Sequence, residues 1–411
     1  MSNKLTIGLF GFGCVGSGLY EVLNQSKLLN ATIKHIVVKD PTKKRALPSD
    51  RFSYDKEDIL TDSNVNLVVE LIDDAEAAYQ IVTQAIRSGK NVISANKKLI
   101  ANHLEELIQL KAQYGVSFLY EAAVCGSIPI IRNLEEYYNN DSLAGIEGIC
   151  NGTTNYILTR LANENSSFET VLADAQDAGF AETDPTMDID GFDSKFKLQI
   201  LLLHSFGILT TPDDILNIGI RHIKEEDIIL AKEKGLKIKL ISFARKIENK
   251  VVAFVAPVLV NKSSFAYDIN YEFNSVSIEA LFSDKQVFIG KGAGSFPTAS
   301  AVLSDISALQ YGYNYEYKKL FNSNVQLAED FEVSVFISAN SVNSLDKIKF
   351  NSVEEEYTSS QFVYKIGRLN RFILNQALYR EHPDLFIAFI PDANLTLKTG
   401  TREKKVVELI N

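Results

Sequence analysis

The chain has 411 residues, 46% of them hydrophobic, enough for packed cores in roughly two to three domains. Its 42 Lys and Arg stand against 52 Asp and Glu, a net charge of -10 with no basic stripe, so nucleic-acid binding is not expected. No apolar run approaches the roughly 20 residues of a membrane span, and Cys14, Cys125 and Cys150, with five scattered histidines, argue against a disulfide framework or a zinc cluster.

Residues 4–10 read as a buried strand that begins too early for a cleavable signal, so a cytoplasmic location is expected. The strand runs into Gly11-Phe12-Gly13-Cys14-Val15-Gly16, and Val15, Leu19, Val22 and Leu23 then recur at helical spacing. Strand, G-x-G-x-x-G and helix in this order suit a dinucleotide. Gly11 permits the tight turn, Gly13 lets a pyrophosphate approach the backbone, Gly16 lets helix pack on strand, and the free N–H groups of the helix face the phosphates.

Further strands are predicted at 33–38, 65–71, 91–95 and 116–120, and helices at 76–88 and 99–114. Such alternation implies a parallel, doubly wound sheet, which binds ligands beyond the carboxyl ends of its strands. Those ends carry Ile72-Asp73-Asp74, Asn96-Lys97-Lys98 and residues 121–128. After the second strand, Asp40 could hold a ribose 2′-hydroxyl, whereas Lys39, Lys43, Lys44 and Arg45 could accept a 2′-phosphate or form only a solvated charged loop. The balance favours NADP(H) and leaves NAD(H) open.

From 131 onwards, longer helices and antiparallel strands at 237–246 and 251–260 predict an α+β domain over 131–290. Gly290-Lys291-Gly292-Ala293-Gly294, with a helix through Leu309, reads as a return to the first domain. The predicted fold is therefore α/β: a Rossmann-type doubly wound sheet in 1–130, completed by about 291–320, the α+β domain, and a small α/β unit in 323–411. That last unit should hold strands at 331–338 and 385–390 around a helix at 366–378.

The densest ionisable cluster runs from Glu182 to Lys197, with five carboxylates in twelve positions ahead of an apolar helix. If that helix starts near Asp193, Asp193 and Lys197 share one face. A half-buried lysine beside an acid can transfer a proton, although spacing alone favours an Asp cap with an ordinary ion pair. Asn151-Gly152-Thr153-Thr154-Asn155-Tyr156 reads as a helix start, capped by Thr153 or Thr154, that could bind a carboxylate or an amide.

Together these residues resemble homoserine dehydrogenase. The resemblance rests on the Gly11–Gly18 motif, Val69-Glu70-Leu71-Ile72, Ser94-Ala95-Asn96-Lys97-Lys98, Glu121-Ala122-Ala123-Val124, the Asn151–Leu158 run, the Glu182–Lys197 segment and Gly292-Ala293-Gly294 with Thr298-Ala299. It covers about residues 5–320. It implies NAD(P)H-dependent reduction of L-aspartate 4-semialdehyde to L-homoserine, on the route to threonine, methionine and isoleucine, by a homodimer formed through the substrate domain.

By position, the resemblance makes Lys197 the proton donor, which reverses the preference from spacing, with Asp193 orienting it and binding substrate and Lys97 the second catalytic lysine. It assigns Glu182 and Asp188 to the substrate ammonium, and Ile72, Asn96, Lys97, Gly292 and Gly294 to the cofactor. The group at Glu121, Val124, Gly126 and Ile128 would hold a structural monovalent cation, sodium or potassium, chiefly through backbone oxygens. Two departures stand out: Asp73-Asp74 replaces the family's paired glycines, and 323–411 lacks the Asp-x-Pro-Gly turn of an ACT domain, leaving at most a divergent ACT-like unit. Aspartate-semialdehyde dehydrogenase would need Cys125 activated by a histidine that no motif supplies. A non-catalytic NAD(P)-binding sensor is disfavoured by the intact Asp193 and Lys197.

Overall fold

The computed structural model describes residues 4–140, 142–164, 166–374, 382–391 and 396–397. The chain opens with β1 (Leu5–Phe10), α1 (Cys14–Gln25), β2 (Ala31–Val37), α2 (Glu57–Leu60) and β3 (Leu67–Glu70). It continues through α3 (Ala75–Arg87), β4 (Asn91–Ser94), α4 (Lys97–Tyr114) and β5 (Phe118–Leu119). All five strands are parallel, in the order β2-β1-β3-β4-β5. Leu67, Val68, Val69, Val92 and Ile93 are fully buried, which is why these strands read as continuous apolar runs: helices cover both faces. The strand order reverses between β1 and β3, and the carboxyl ends of those two strands open a crevice.

The second domain comprises α5 (Ile130–Glu135), β6 (Leu143–Ile149), α6 (Gly152–Asn163), α7 (Phe168–Asp177), α8 (Thr186–Ile189), α9 (Phe192–Phe206), β7 (Leu216–Asn217) and α10 (Glu225–Glu233). Strands β8 (Lys237–Ile247), β9 (Lys250–Val260), β10 (Phe273–Ala280) and β11 (Asp284–Lys291) follow, then α11 (Ser295–Leu309). Every residue of α9 from Asp193 to Phe206 is buried, so it shows no single apolar stripe. It lies between the domains: Gln199 Nε2 donates to Ala101 O of α4, and Ser242 Oγ of β8 donates to Ser194 O. Helix α11 returns to the first domain, where Ser295 Oγ donates to Cys14 O at 2.7 Å.

The remainder holds α12 (Lys318–Asn322), β12 (Gln326–Leu327), β13 (Phe331–Ala339), α13 (Val342–Leu345), β14 (Ser352–Thr358), β15 (Val363–Asn370), β16 (Phe386–Phe389) and β17 (Thr396–Leu397). Strand β13 lies between β15 and β16, antiparallel to both, and β16 reaches β9 through the pair Phe389 and Val258. One mixed twelve-stranded sheet thus runs through the second domain and the last unit. The helix predicted at 366–378 is corrected: Ile366 to Asn370 belong to β15, Arg371–Ile373 form a 3₁₀ turn, and 375–378 fall outside the described residues. Gly367 is the reason, since a Cβ there would stand 2.2 Å from Ser352 O, so the backbone of β14 claims that edge as a ladder. Among the described residues, no helix is long and apolar enough to cross a membrane.

Gly207 ends α9 in the left-handed region, at φ +72°, and a Cβ there would meet Lys319 O at 2.2 Å. Gly235 has φ +69° but open space around it. Gly207→Ala adds a backbone collision, costing roughly 1–3 kcal/mol, to the roughly 1–2 kcal/mol of left-handed strain that Gly235→Ala incurs alone. Gly207→Ala is therefore expected to lower Tm by several degrees more than Gly235→Ala. Equal shifts in thermal melts would show that the contact with Lys319 does not hold the end of α9.

Candidate active site

The first wall is built from strand ends. Gly11 adopts φ +92°, and a Cβ there would lie 2.4 Å from Leu71 O, so only glycine lets β1 turn against β3. Nothing lies within 4 Å of a Cβ placed on Gly13. Helix α1 starts beside that open space without a side-chain cap, which leaves its first N–H groups available to phosphate. Behind this edge, Glu70 accepts from Ile72 N at 2.7 Å and from Ser94 Oγ. Asn96 caps α4, accepting from Leu99 N, while its Nδ2 donates to Ile72 O. These bonds tie β3 to β4 and place Lys97 at the first position of α4. Burial pushes the Glu70 carboxyl up to about 7 against the hydrogen bonds from Ser94 and Ile72.

The acidic departure at 73–74 has a local explanation. Asp74 caps α3, accepting from Glu76 N and Ala77 N at 3.1 Å each, and only Asp73 faces the cavity. Asp40 turns into its own loop, accepting from Thr42 N and Oγ1, and these bonds hold its carboxyl below the usual range. Lys39, Lys43 and Lys44 are exposed beside it, while Arg45 donates to Asp40 O and Lys43 O and lies over the Phe52 ring.

The second wall centres on α9. Asp193 Oδ2 accepts from Lys197 Nζ at 2.7 Å, and Asp193 Oδ1 pairs with Lys97 Nζ at 2.9 Å, so one carboxylate bridges lysines from both domains. Asn151 Nδ2 donates to the same Asp193 Oδ2 at 2.9 Å and to Asp188 Oδ1 at 2.6 Å. Lys197 also donates to Cys150 O at 2.7 Å, which leaves one of its three N–H groups for a ligand. Burial opposes both charges, yet the two lysines hold the Asp193 carboxyl well below its usual range, and Asp193 holds the Lys197 ammonium above its usual value. Burial, and then Asp193, push Asp188 upward.

These groups line a cavity of about 610 Å³ together with Glu182, Thr153, Cys14, Val15, Ile72, Asn96, Gly292 and Gly294. Thr153 Oγ1 donates to Phe180 O. The predicted cap is corrected: Asn151, not Thr153 or Thr154, caps α6, accepting from Thr154 N at 2.8 Å. Thr154 is buried, with its hydroxyl on Asn151 O, and does not line the cavity. Gly11, Phe12, Gly13, Gly16, Lys39 and Arg45 also lie outside that lining, and Phe12 packs edge-on against Tyr20 and Phe52. Sequence reasoning missed the bridging role of Asn151, and it missed Glu272, which comes from the turn before β10 and carries no motif. No histidine lines the cavity beside Cys125.

Residues 121–128 lie at the domain junction. The Glu121 side chain accepts from Ile131 N and Arg132 N at the start of α5, and Asp305 accepts from Glu121 N and Arg132 Nη2. Burial pushes Glu121 up to about 7 and Asp305 up to about 8. Gly126 packs against the end of β11, where a notional Cβ would lie 2.6 Å from Gly292 O. Among the described residues no group of three or more His, Cys, Asp or Glu could hold a metal ion.

Residues 11–121 match the family model described as homoserine dehydrogenase, NAD binding domain, and residues 129–307 match that of homoserine dehydrogenase. The homoserine dehydrogenase of Bacillus subtilis is 38% identical over 75% of this chain and 73% of its own length; that of Lactococcus lactis is 37% identical over 74% and 73%. The crystal structure of a homoserine dehydrogenase from Thiobacillus denitrificans superposes with a TM-score of 0.82 at 28% identity, over 95% of this chain and 99% of that one. The chain belongs to the homoserine dehydrogenase family: it is an NAD(P)-dependent oxidoreductase acting on a CH–OH group, and it interconverts L-aspartate 4-semialdehyde and L-homoserine.

Proposed function

We propose that Lys197 is the proton donor of this reaction, that Asp193 orients it, and that Lys97 is the second catalytic lysine. The observation that carries this reading is the Lys97–Asp193–Lys197 bridge at the meeting of the two walls. A dinucleotide held in the crevice would supply the hydride that reduces the aldehyde carbon. Negative charge then builds on the carbonyl oxygen, and the remaining N–H of Lys197 stabilises it and passes over its proton. An alkoxide is a stronger base than even a lysine held above its usual value, so this transfer runs downhill. Glu182 and Asp188 bind the substrate ammonium; Asp188 keeps one carboxylate oxygen beyond its bond from Asn151.

The same reading favours NADP(H). Thr42 takes one oxygen of the Asp40 carboxylate with both its N–H and its hydroxyl, holding that side chain in its own turn, while Lys39 and Arg45 stand nearby as partners for a 2′-phosphate. A structural sodium or potassium ion at 121–128 fits the charge count, since Glu121 and Asp305 are buried against the single guanidinium of Arg132. Association into a homodimer through 131–290 is supported by Leu281, Phe282 and Ile289, exposed at 71%, 76% and 58% on the β10–β11 hairpin.

Replacing Lys197 with alanine is expected to lower turnover by roughly 100-fold or more while NADPH affinity stays near the parent value. Lys197→Arg should restore only part of it, because a guanidinium holds its proton more tightly and sits differently. Near-normal turnover of Lys197→Ala, with chemistry limiting, would transfer the role to Lys97.

The pH profile gives an independent reading. Oxidation of homoserine needs Lys197 neutral, and Asp193 holds the ammonium above its ordinary value, so the rate should still be rising above the roughly 10.4 of a free lysine. Asp193→Asn removes that anion, lets burial dominate, and should move the basic limb down by about one unit or more. An unmoved limb would mean that another group titrates.

For the cofactor, neutralising Lys39 and Arg45 together should raise the Michaelis constant for NADPH about tenfold, as expected for a lost charge-assisted hydrogen bond, with little change for NADH. Equal effects on both cofactors would overturn the 2′-phosphate assignment.

A further inference from the structure

The buried side chain of Asn151 is held at both ends. Its Oδ1 accepts from Thr154 N at 2.8 Å, which fixes the orientation of the amide, because a nitrogen in that place would face another donor. Nδ2 has two hydrogens and gives them to two carboxylates, Asp188 Oδ1 at 2.6 Å and Asp193 Oδ2 at 2.9 Å. The main chain is anchored as well, since Asn151 O accepts from Asn155 N and from Thr154 Oγ1.

One nitrogen thus sits between two acids. Asp193 Oδ2 also accepts from Lys197, so a run of three hydrogen bonds joins the Lys197 ammonium to Asp188 through Asp193 and Asn151, and all four residues line the cavity. The acids come from separate elements, Asp188 from the short α8 and Asp193 from α9, with Gly191 at φ +80° between them. Their like charges repel, and the shared amide opposes that repulsion. With hydrogens about 120° apart on a planar nitrogen, two such bonds set the two carboxylate oxygens roughly 5 Å from each other.

We propose that Asn151 sets the chain length of the substrate, by fixing the distance between the carboxylate that takes the substrate ammonium and the lysine that faces the carbonyl oxygen. The proposal rests on the assignment of those two roles to Asp188 and Lys197. In L-homoserine and in its aldehyde, one methylene separates the carbon that bears the amine from the carbon that exchanges hydride. A further methylene moves one end by about 1.5 Å when the other is held, and a misplacement of about 1 Å at a reacting centre can cost roughly 100-fold. Asn151 acts through Asp188 and Asp193, so it is a positioning residue. Glutamine is a methylene too long to keep both the cap and the bridge, and aspartate would put a third acceptor where the two acids need a donor.

The test compares oxidation of L-homoserine with that of L-2-amino-5-hydroxypentanoate, one methylene longer, at saturating dinucleotide. The parent enzyme should favour homoserine in kcat/KM by roughly 10- to 200-fold, the usual effect of one methylene in a fixed pocket. Asn151→Ser keeps the cap of α6, since serine accepts from the same backbone N–H, but it cannot reach both acids. The preference should then fall about tenfold or more, with a higher KM and a lower turnover for homoserine. Asn151→Asp also keeps the cap, repels both acids and should lose the preference in the same way, which covers a serine variant that does not fold. Merely structural damage would slow both substrates alike, so an unmoved ratio in a folded variant overturns the proposal. Asp188→Asn tests the reading beneath it: the KM for homoserine should rise about tenfold, as for a lost charge-assisted hydrogen bond, with the KM for the dinucleotide unchanged. If Asp188→Asn leaves the homoserine KM unchanged, the ammonium assignment falls and the proposal with it. If it raises that KM while Asn151→Ser keeps the ratio, the proposal alone falls.

Discussion

The carboxylate of Asp193 is the constraint on which the active site depends. Two ammonium groups, from the first turn of α4 and the first turns of α9, meet on a side chain only 5% exposed. A buried pair of this kind gains little net stability over apolar packing, because desolvating the charges costs about as much as their attraction returns. Its value lies in position. Moving either lysine would remove one of the two cations that balance a buried carboxylate, so the bridge registers the two domains to each other where the walls of the cavity meet. Asn151 extends this register to Asp188, and because the same side chain caps α6, the geometry of the site is secured by an ordinary helix start.

A second polar layer lies behind this one. Tyr120 OH meets His204 Nε2 at 2.9 Å and Tyr317 OH at 3.1 Å, and His204 Nδ1 meets Glu135 at 2.6 Å. Lys319 donates to Leu134 O and His204 O. These groups come from β5 and its exit, α5, α9 and the segment after α11. Each is partnered, as a buried network must be if it is not to cost more than an apolar core. The layer fixes the carboxyl end of α9 while Asp193 fixes its amino end, so the wholly buried helix is pinned at both ends.

Much of this was legible in the sequence where one residue type performs one local task. The glycine turn, the parallel strands and the spacing of Asp193 and Lys197 are local signals, and the structure carries each of them within a residue or two of the predicted bounds. What spacing could not decide was burial: an Asp cap with a surface ion pair and a bridged, buried lysine share the same four-residue interval. Thr154 misled for a related reason. A Ser or Thr before a helix is a common cap, but the preceding Asn151 took the position and left the Thr154 hydroxyl facing inward. Strand β10 escaped notice because Asn274, Ser275 and Ser277 are buried polar residues, so its alternation does not read as apolar and polar. At 366–378, the helix reading lost to the backbone ladder of β15 with the neighbouring β14 and with β13, a strand more distant in sequence.

The charge pattern of the cavity also explains how a protein with net charge -10 handles an anionic cofactor and a zwitterionic substrate. Most of its acids are spent elsewhere. Of the acids near the crevice, Asp74 faces a helix terminus and Asp40 a turn, so neither points its carboxylate at a phosphate. The lysines remain available there, and α1 presents free N–H groups. Across the cavity the order is reversed, with Asp188 and Glu182 beside the lysine pair. On the proposed assignment, the substrate ammonium would meet these acids and its carbonyl oxygen would face Lys197. The carboxylate bridge that joins the domains also takes one N–H of Lys197, as Cys150 O takes another, so on that assignment the same bridge would set which N–H meets the substrate.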